Sequence, residues 1–394
     1  MDRGTCDNEF PVDTSSPVNM HDTPIFTEAI TSPASRSLRP PRGIVVLYSA
    51  ADKPSTHGSR DILADLETIA TAQAVAKVLQ QHAHWEVRLL PAAHHVEKKL
   101  ALYPPEDYVV FNLFEGLDCP AEIEIEGEDG YRWDEEARAA FTLQELGYRF
   151  TGADGHILAL ALNKAEAKTV LERNGILTPP WRVFTHPDEV EANNLGTLTF
   201  PVIVKPVAED SSLGINGNAV VNDVASLRAR VAYLIERYRQ NVLVETFIDG
   251  REFNISIWGS PPQVLPLAEV DLSALGSPEK RIVSFAAKWE ENSFEYTHTP
   301  VICPAIVAKE LAERIRDTAL RAWEAIGGRR GYGRVDMRVR DEQVYVLEVN
   351  PNPSLAPDAG FARAALAAGF DYAHMILNIL SFVTEEILVH DSSH

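Results

Sequence analysis

The chain has 394 residues, 45% of them apolar and 24% charged, with a formal net charge of −21. That length supports two or three domains with sizeable cores, and the acidic balance argues against a nucleic-acid partner because no basic stripe is available to neutralise phosphates. A nucleotide ligand stays admissible, since a few clustered lysines create a positive pocket inside an acidic protein. Three cysteines, Cys6, Cys119 and Cys303, are far apart and lack metal-type spacing, which fits a reducing compartment. No apolar run approaches ~18 residues and the N-terminus lacks an apolar signal core, so the expectation is a cytoplasmic chain without a membrane partner.

Residues 1–42 mix Pro, Ser, Thr and Asp with scattered apolar residues and no period, and read as a disordered or loosely docked arm. Gly43-Ile-Val-Val-Leu-Tyr48 is a short apolar run suited to a buried strand. A helix with apolar positions Ile62, Leu66, Ile69, Val75, Val78 and Leu79 follows, then strands over 85–90 and 108–113. Strand, helix, strand in that order predicts an α/β architecture with an open parallel sheet of the doubly wound type. No G-x-G-x-x-G follows the first strand, so a dinucleotide site is not indicated. Sheets of this kind hold small substrates in the loops at the carboxyl ends of their strands. Glu67, Glu115 and Asp118 are candidates there, against the commoner role of plain surface carboxylates. The acidic stretch 122–129 reads as a mobile loop.

Helices are predicted over 135–146, 157–174, 224–238, 305–326 and 371–388; the second contains Asn163-Lys164 and Lys168 and closes on Gly175. A strand over 200–206 delivers Lys205 just before Pro206. The polar loop Glu209-Asp-Ser-Ser-Leu-Gly214 follows, and its N–H groups and hydroxyls suit a phosphate as well as they suit an ordinary turn. The strand over 241–250 ends in Asp249-Gly250, a turn signal, with 252–258 as its expected hairpin partner. Another strand is predicted over 263–270, and the polar segment around Ala287-Lys288-Trp289 is long enough to cover a site.

Gly331 to Pro353 reads as two alternating strands around a three-residue turn, Asp341-Glu342-Gln343. That register sets Asp336 opposite Glu348 and Arg334 opposite Asn350. Val335, Met337, Val339, Tyr345, Leu347 and Val349 then form a core face. Directly opposed side chains lie ~4.5–5.5 Å apart at Cβ, and like charges at that distance call for a cation. Asp336, Glu348 and the Asn350 amide oxygen are hard ligands of the kind Mg²⁺ prefers, with nucleotide phosphates completing the shell. The alternative is a solvated outer face of an ordinary hairpin. A two-residue turn would put the two carboxylates on opposite faces.

Taken in order, Asn163-Lys164 with Lys168, Pro201-Val-Ile-Val-Lys205-Pro206, Ser211-Ser212-Leu-Gly214, Glu245, Glu252-Phe253, Lys288, Arg334-Val-Asp336 and Glu348-Val-Asn350 resemble the ATP-grasp superfamily, most closely its D-alanine–D-alanine ligase branch. The resemblance implies an α+β ATP-grasp fold: an N-terminal open parallel-sheet domain (43–155), then two lobes (156–242 and 243–394) that enclose ATP. By resemblance, Lys164 and Lys205 would contact the ATP phosphates, beside Ser211 and Ser212, and Lys288 would reach the γ-phosphate from the covering loop. Glu245 would accept from the adenine amino group and Glu252 would hold the ribose. Asp336 would bind one Mg²⁺, Glu348 would bridge two, and Asn350 would complete the second, with Mn²⁺ an acceptable substitute. Arg334, Lys288 and Ser211 would form the catalytic set. The implied chemistry activates a carboxylate to an acyl phosphate, which an amine attacks, releasing ADP and phosphate. The implied partners are small-molecule acids and amines, and a homodimer is compatible with the branch.

Departures concern the substrate. Tyr48-Ser-Ala-Ala-Asp52 lacks the branch's Gly-Gly loop, leaving Glu67 as a displaced substitute for its ammonium-binding Glu. Asp210 replaces the Gly before the paired serines, and Trp289 replaces the Tyr after the loop lysine. Asn352-Pro-Ser354 replaces a Ser-Pro-Gly, and Ala359 beside Asp358 stands where a serine would hold the acceptor carboxylate. An acidic Asp358 there suits a cationic or amine group, or caps the following helix. The reading is therefore a carboxylate–amine ligase on substrates other than two D-alanines. A true D-alanine–D-alanine ligase and a non-catalytic nucleotide sensor are the alternatives, and a sensor would not need Arg334.

Overall fold

Gly43–Ser49 (β1) is buried on both faces because its apolar residues run without alternation: Ile44, Val45, Val46 and Leu47 are each 0% exposed. The computed structural model describes residues 41–50, 59–93, 95–116, 135–209 and 212–384, and only the backbone of 59–65. In it β1 pairs in parallel with Glu86–Ala92 (β2) and Tyr108–Leu113 (β3), and Arg149–Phe150 (β4) extends the sheet in the order β2-β1-β3-β4. Ile44 and Val46 pack with Ser59–His82 (α1); Val45 and Leu47 pack with Val96–Leu100 (α2) and Glu135–Glu145 (α3). Helices on both faces are the arrangement a parallel sheet requires, and the doubly wound expectation holds. The carboxyl ends of β1 and β3 bring Ser49 and Glu115 together: the Glu115 N–H donates to Ser49 Oγ at 2.9 Å.

The single helix expected over 157–174 is two, Gly155–Leu162 (α4) and Lys164–Arg173 (α5). Asn163 ends the first and caps the second, its side-chain oxygen accepting from the Glu166 N–H. A short polar side chain that bonds nearby backbone favours a cap over a helix interior, which is why the break falls there.

Trp181–Phe184 (β5), Val202–Pro206 (β6), Val220–Val221 (β7) and Val242–Thr246 (β8) form an antiparallel sheet in the order β5-β8-β6-β7, packed against Val224–Tyr238 (α6). Both edges of β8 are taken, so the expected hairpin between 241–250 and 252–258 does not form. Asp249-Gly250 instead carries the chain into a third sheet. At Gly250 a Cβ would sit 2.1 Å from the Val339 carbonyl oxygen, so close backbone approach explains this glycine. Gly250→Ala is expected to lower stability by about 1–3 kcal/mol, the usual cost of overpacking, read from urea unfolding. A change below ~0.5 kcal/mol, the range of neutral surface substitutions, would refute that account.

Arg251–Gly259 (β9), Pro262–Val264 (β10), Ala268–Val270 (β11), Val301–Ile302 (β12), Tyr332–Arg340 (β13) and Gln343–Asn350 (β14) build the third sheet, ordered β12-β11-β9-β13-β14 with β10 paired to β9. The strand expected over 263–270 is split at Leu265-Pro266-Leu267, where Pro266 has no N–H for a ladder. Between β11 and β12 lie the short helices Phe285–Trp289 (α7) and Phe294–Thr297 (α8). Lys309–Ala325 (α9) buries Leu311, Ile315, Ala319 and Trp323 with Phe253, Ile255, Val335 and Met337. Gly360–Ala367 (α10) leads to Tyr372–Thr384 (α11), which returns to the first sheet and packs in the core of β1, β3 and α1. Among the described residues no single helix is long and apolar enough to cross a membrane.

The β13–β14 hairpin corrects the expected turn and keeps the expected pairing. The turn has two residues, Asp341 and Glu342, both at positive φ (50° and 65°), with Arg340 paired to Gln343. A bulge between Asp336 and Met337 then shifts the register by one residue, so Asp336 still faces Glu348 and Arg334 faces Asn350. Tyr345 and Leu347 therefore leave the core face assigned to them, and Val344 and Val346 take it.

Candidate active site

Period-two alternation gives the third sheet one apolar face and one polar face. On the polar face three strands line up directly: Arg334 opposite Ser256, Asp336 opposite Asn254 and Arg338 opposite Glu252 on β9, with Asn350 and Glu348 opposite Arg334 and Asp336 on β14. The Asp336 carboxylate accepts four hydrogen bonds, from Arg334 Nε (2.7 Å) and Nη2 (2.9 Å), Asn254 Nδ2 (2.9 Å) and Asn350 Nδ2 (3.0 Å). Against the cost of burial, the Asp336 charge raises the Arg334 pKa. Among the described residues, Glu348 has only a long hydrogen-bond contact from Asn350 Nδ2, at 3.4 Å. Burial alone would raise its pKa; the charges of Lys164, Lys205, Lys288 and Arg334 outweigh it and hold the carboxyl at about 2.

This face forms one wall of a cleft of about 840 Å³ including its open mouth. The second sheet supplies the opposite wall with Ile203, Lys205 and Glu245, and Ser212, Ile282, Val283 and Lys288 close over it. Strand β8 places Glu245, 1% exposed, between Lys168 of α5 and Lys205 of β6, with Lys205 Nζ 2.5 Å from Oε2. Burial pushes the Glu245 pKa up, but the two ammonium groups prevail and keep it ionised. Ser212 adopts a left-handed φ of 61° and donates from Oγ to the Val283 carbonyl at 3.0 Å, tying the polar loop to the segment that carries Lys288. Arg230 of α6 holds the same loop through the Gly214 carbonyl.

Of the residues expected at the site, Lys205, Ser212, Glu245, Glu252, Lys288, Arg334, Asp336 and Glu348 line this cleft. Lys164 and Asn350 are not in its lining: the first donates to the Glu209 carbonyl, the second to Asp336 and Glu348. Asn350 thus turns its amide nitrogen, not its oxygen, to the carboxylates. Ser211 lies outside the described residues, as do Asp118, Asp210, Cys6, Cys119, the stretch 122–129 and residues 1–40. Cys303 is a free, half-buried thiol. Glu67, Glu115 and Asp358 are absent from the cleft lining and come together elsewhere, at the carboxyl ends of β1 and β3. Glu67 Oε1 accepts from Ser354 Oγ at 3.0 Å and Glu115 Oε2 from Thr68 Oγ1 at 3.2 Å. Burial raises the Glu67 pKa, with the nearby Asp358 charge adding to it. Asp358 does not cap α10; Ala359 holds that position without a side-chain bond.

Sequence reasoning left Lys168, Asn254 and Arg338 without roles and gave Leu347, which lines the cleft, to the core face. Asn254 and Arg338 share the alternation of Glu252 and of Arg334 and Asp336, and that was their available signal. Lys168 is one helical turn from Lys164 on α5, but only the packing of α5 on β8 shows that it, too, faces Glu245. A metal ion is a further question of fit. Among the described residues no group of three or more His, Cys, Asp or Glu is arranged to hold a metal ion, while Asp336 and Glu348 face each other in register. Two carboxylates are too few for an all-protein cage and match the one or two with which Mg²⁺ is held beside substrate phosphates. The donor set fits, provided Arg334 releases Asp336.

Comparison with known proteins places this architecture. The family model described as the D-ala D-ala ligase C-terminus matches residues 170–381. An uncharacterized protein of Sinorhizobium fredii is 32% identical over 319 residues, covering 78% of this chain and 86% of that protein. The D-alanine–D-alanine ligase of Desulforudis audaxviator is 32% identical over 249 residues, 62% of this chain and 75% of that enzyme. The crystal structure of the D-alanine–D-alanine ligase from Bacillus anthracis complexed with ATP superposes with a TM-score of 0.64 at 22% identity, over 87% of this chain and 97% of that one. The structural likeness shows the ATP-grasp fold. With the family model spanning more than half of its length, the chain belongs to the D-alanine–D-alanine ligase family.

Proposed function

We propose that the protein is an ATP-dependent, ADP-forming carboxylate–amine ligase acting on amino-acid-like substrates other than a pair of D-alanines. The observation that carries this reading is Glu348, set in register with Asp336 on a cleft wall that Lys205, Lys288 and Arg334 also line. Such a grouping holds polyanionic phosphate on its lysines while keeping two carboxylates for a cation. Membership of a family of ligases, and the ATP complexed with the related Bacillus anthracis enzyme, support the nucleotide.

When bound, Mg²⁺–ATP supplies the γ-phosphoryl group and spreads its charge over metal and lysines. The donor carboxylate forms a bond to the γ-phosphorus as the bond to ADP breaks; the amine then forms a bond to the acyl carbon, loses a proton and expels phosphate. In this scheme Lys205 and Lys288 would hold the phosphates, and Glu348 and Asp336 would hold the cation. Arg334 exchanges Asp336 for the oxyanion that develops at the acyl carbon, a role for a preorganised donor. The segment joined through Ser212 and Val283 excludes water from the acyl phosphate. Glu67, Glu115 and Asp358 form an acidic rim for the ammonium of an amino acid or a cationic acceptor.

ADP release measured over a panel of acids and amines, with product masses recorded, tests both levels. ADP formation that depends on an acid and an amine together is expected, strongest with an acceptor carrying a positive charge. Selective turnover with D-alanine alone would overturn the substrate reading and leave the ligase. No acid- and amine-dependent ADP with any pair would overturn the ligase.

A further inference from the structure

Arg338 takes no part in the phosphate or ligation chemistry above, yet it is the most heavily engaged cation of the cleft wall. It is 4% exposed, its Nε and Nη2 donate to Glu252 Oε2 at 2.9 and 2.7 Å, and Nη1 donates to the Ile248 carbonyl at 2.8 Å. Nη2 also donates to the Arg281 carbonyl, and the guanidinium stands 4.8 Å over the Phe247 ring. All the Arg338 donors so placed are turned toward protein. Three segments meet on this one side chain: the β8–β9 connection, the start of β9, and the approach to α7, which carries Lys288.

The geometry of the ion pair is unusual in one respect. A guanidinium fork commonly gives one N–H to each carboxylate oxygen, whereas both Arg338 donors converge on Oε2. Glu252 Oε1 has no hydrogen-bond partner among the described residues, and Glu252 lines the cleft. The carboxylate charge is already balanced by Arg338, so the group that fits Oε1 is a neutral donor rather than a cation. A vicinal diol, such as the hydroxyls of a ribose, is a neutral donor pair of that kind.

We propose that Arg338 is a positioning residue for nucleotide recognition, clamping Glu252 by one oxygen so that the other receives the ribose hydroxyls, and fastening the covering segment to the same point through Arg281. This inference rests on the reading that the cleft takes ATP. It predicts that discrimination between ribose and deoxyribose nucleotides depends on a residue that does not touch the nucleotide phosphates.

Arg338→Lys keeps the charge and loses the planar fork. Calorimetric binding of ATP, 2′-deoxy-ATP and 3′-deoxy-ATP with Mg²⁺ to the full chain reads the effect. The unmodified protein is expected to prefer ATP over at least one deoxynucleotide by about tenfold, ~1.4 kcal/mol. In Arg338→Lys that preference is expected to fall below about threefold and ATP binding to weaken by about tenfold. Circular dichroism checks the fold, and Arg338→Gln, neutral and planar, replaces the variant under the same readout if Arg338→Lys does not fold. A preference unchanged in the folded variant, or absent from the unmodified protein while ATP binds, overturns this proposal alone. Failure of the unmodified protein to bind any of the three nucleotides overturns the ATP reading and this proposal with it.

Discussion

Glu348→Gln is expected to reduce acid- and amine-dependent ADP formation by about a thousandfold or more, equivalent to ~4 kcal/mol of transition-state stabilisation. The substitution keeps the shape of the side chain and forfeits only its charge, since the one contact from Asn350 is long. What changes is the environment of Lys164, Lys205, Lys288 and Arg334, which lose the anion their charges hold at about pKa 2. The proposed cation loses one of the two carboxylates that face each other across β13 and β14. The variant should stay folded at neutral pH by circular dichroism. Its stability should also show a linkage effect. An ordinary Glu titrates at ~4.3 in the unfolded chain, and in the fold this one is depressed. Its contribution is therefore fully present above pH ~4.3 and is lost as the pH falls toward 2. The stability difference between the two proteins should accordingly narrow with acid. ADP formation within tenfold of the unmodified protein would remove Glu348 from the catalytic chemistry.

How much of this was legible beforehand depended on whether the signal was local. The unalternating run Ile44-Val45-Val46-Leu47 could only be a strand covered on both sides, and it is. The pairing of Asp336 with Glu348 was expected from a three-residue turn and is produced by a two-residue turn plus a bulge. Neither part was visible: a two-residue turn of this kind puts both residues at positive φ and normally signals itself with Asn or Gly, whereas Asp341-Glu342 carries neither. Asp249-Gly250 gave a local hairpin signal that tertiary pairing overrode, because β5 and β6 flank β8. The glycine there answers to the Val339 carbonyl, a contact across 89 residues of sequence that no window contains.

The site divides in the same way. Arg334 and Asp336 on β13, and Glu348 and Asn350 on β14, were expected on one face by alternation, and they face each other in register. Lys168 was not, because a lysine on a helix reads as solvated until its neighbours are known; here it is 1% exposed against Glu245. Arg338 shared the right period and still went unassigned, since its partner Glu252 belongs to another strand. Glu67 on α1, Glu115 beyond β3 and Asp358 between β14 and α10 come from three distant chain segments, and only the contact of Ser354 and Asp358 with Glu67 and of Thr68 with Glu115 links them.

Glu245→Ala is expected to cost about 3–5 kcal/mol of stability in urea unfolding, the range for leaving a buried charge without its partner. Lys168 and Lys205 are 1% and 6% exposed, and Glu245 is the carboxylate both contact. Burial, with the Lys205 charge adding to it, already drives the Lys168 pKa down even with Glu245 present. Without the carboxylate, the two ammonium groups face each other in a desolvated space, and at least one is expected to give up its proton in the fold. The unfolded chain holds that proton up to ~10.4, so between the depressed folded value and ~10.4 it binds more protons than the native state, and stability rises with pH. The Glu245→Ala deficit should therefore shrink as the buffer is taken from neutral toward pH 10, whereas a deficit caused by a lost packing contact would not follow pH. Loss of less than ~1 kcal/mol, the ceiling for an exposed ion pair, would mean that water reaches the triad and that Glu245 is not the buried counter-ion its position on β8 makes it.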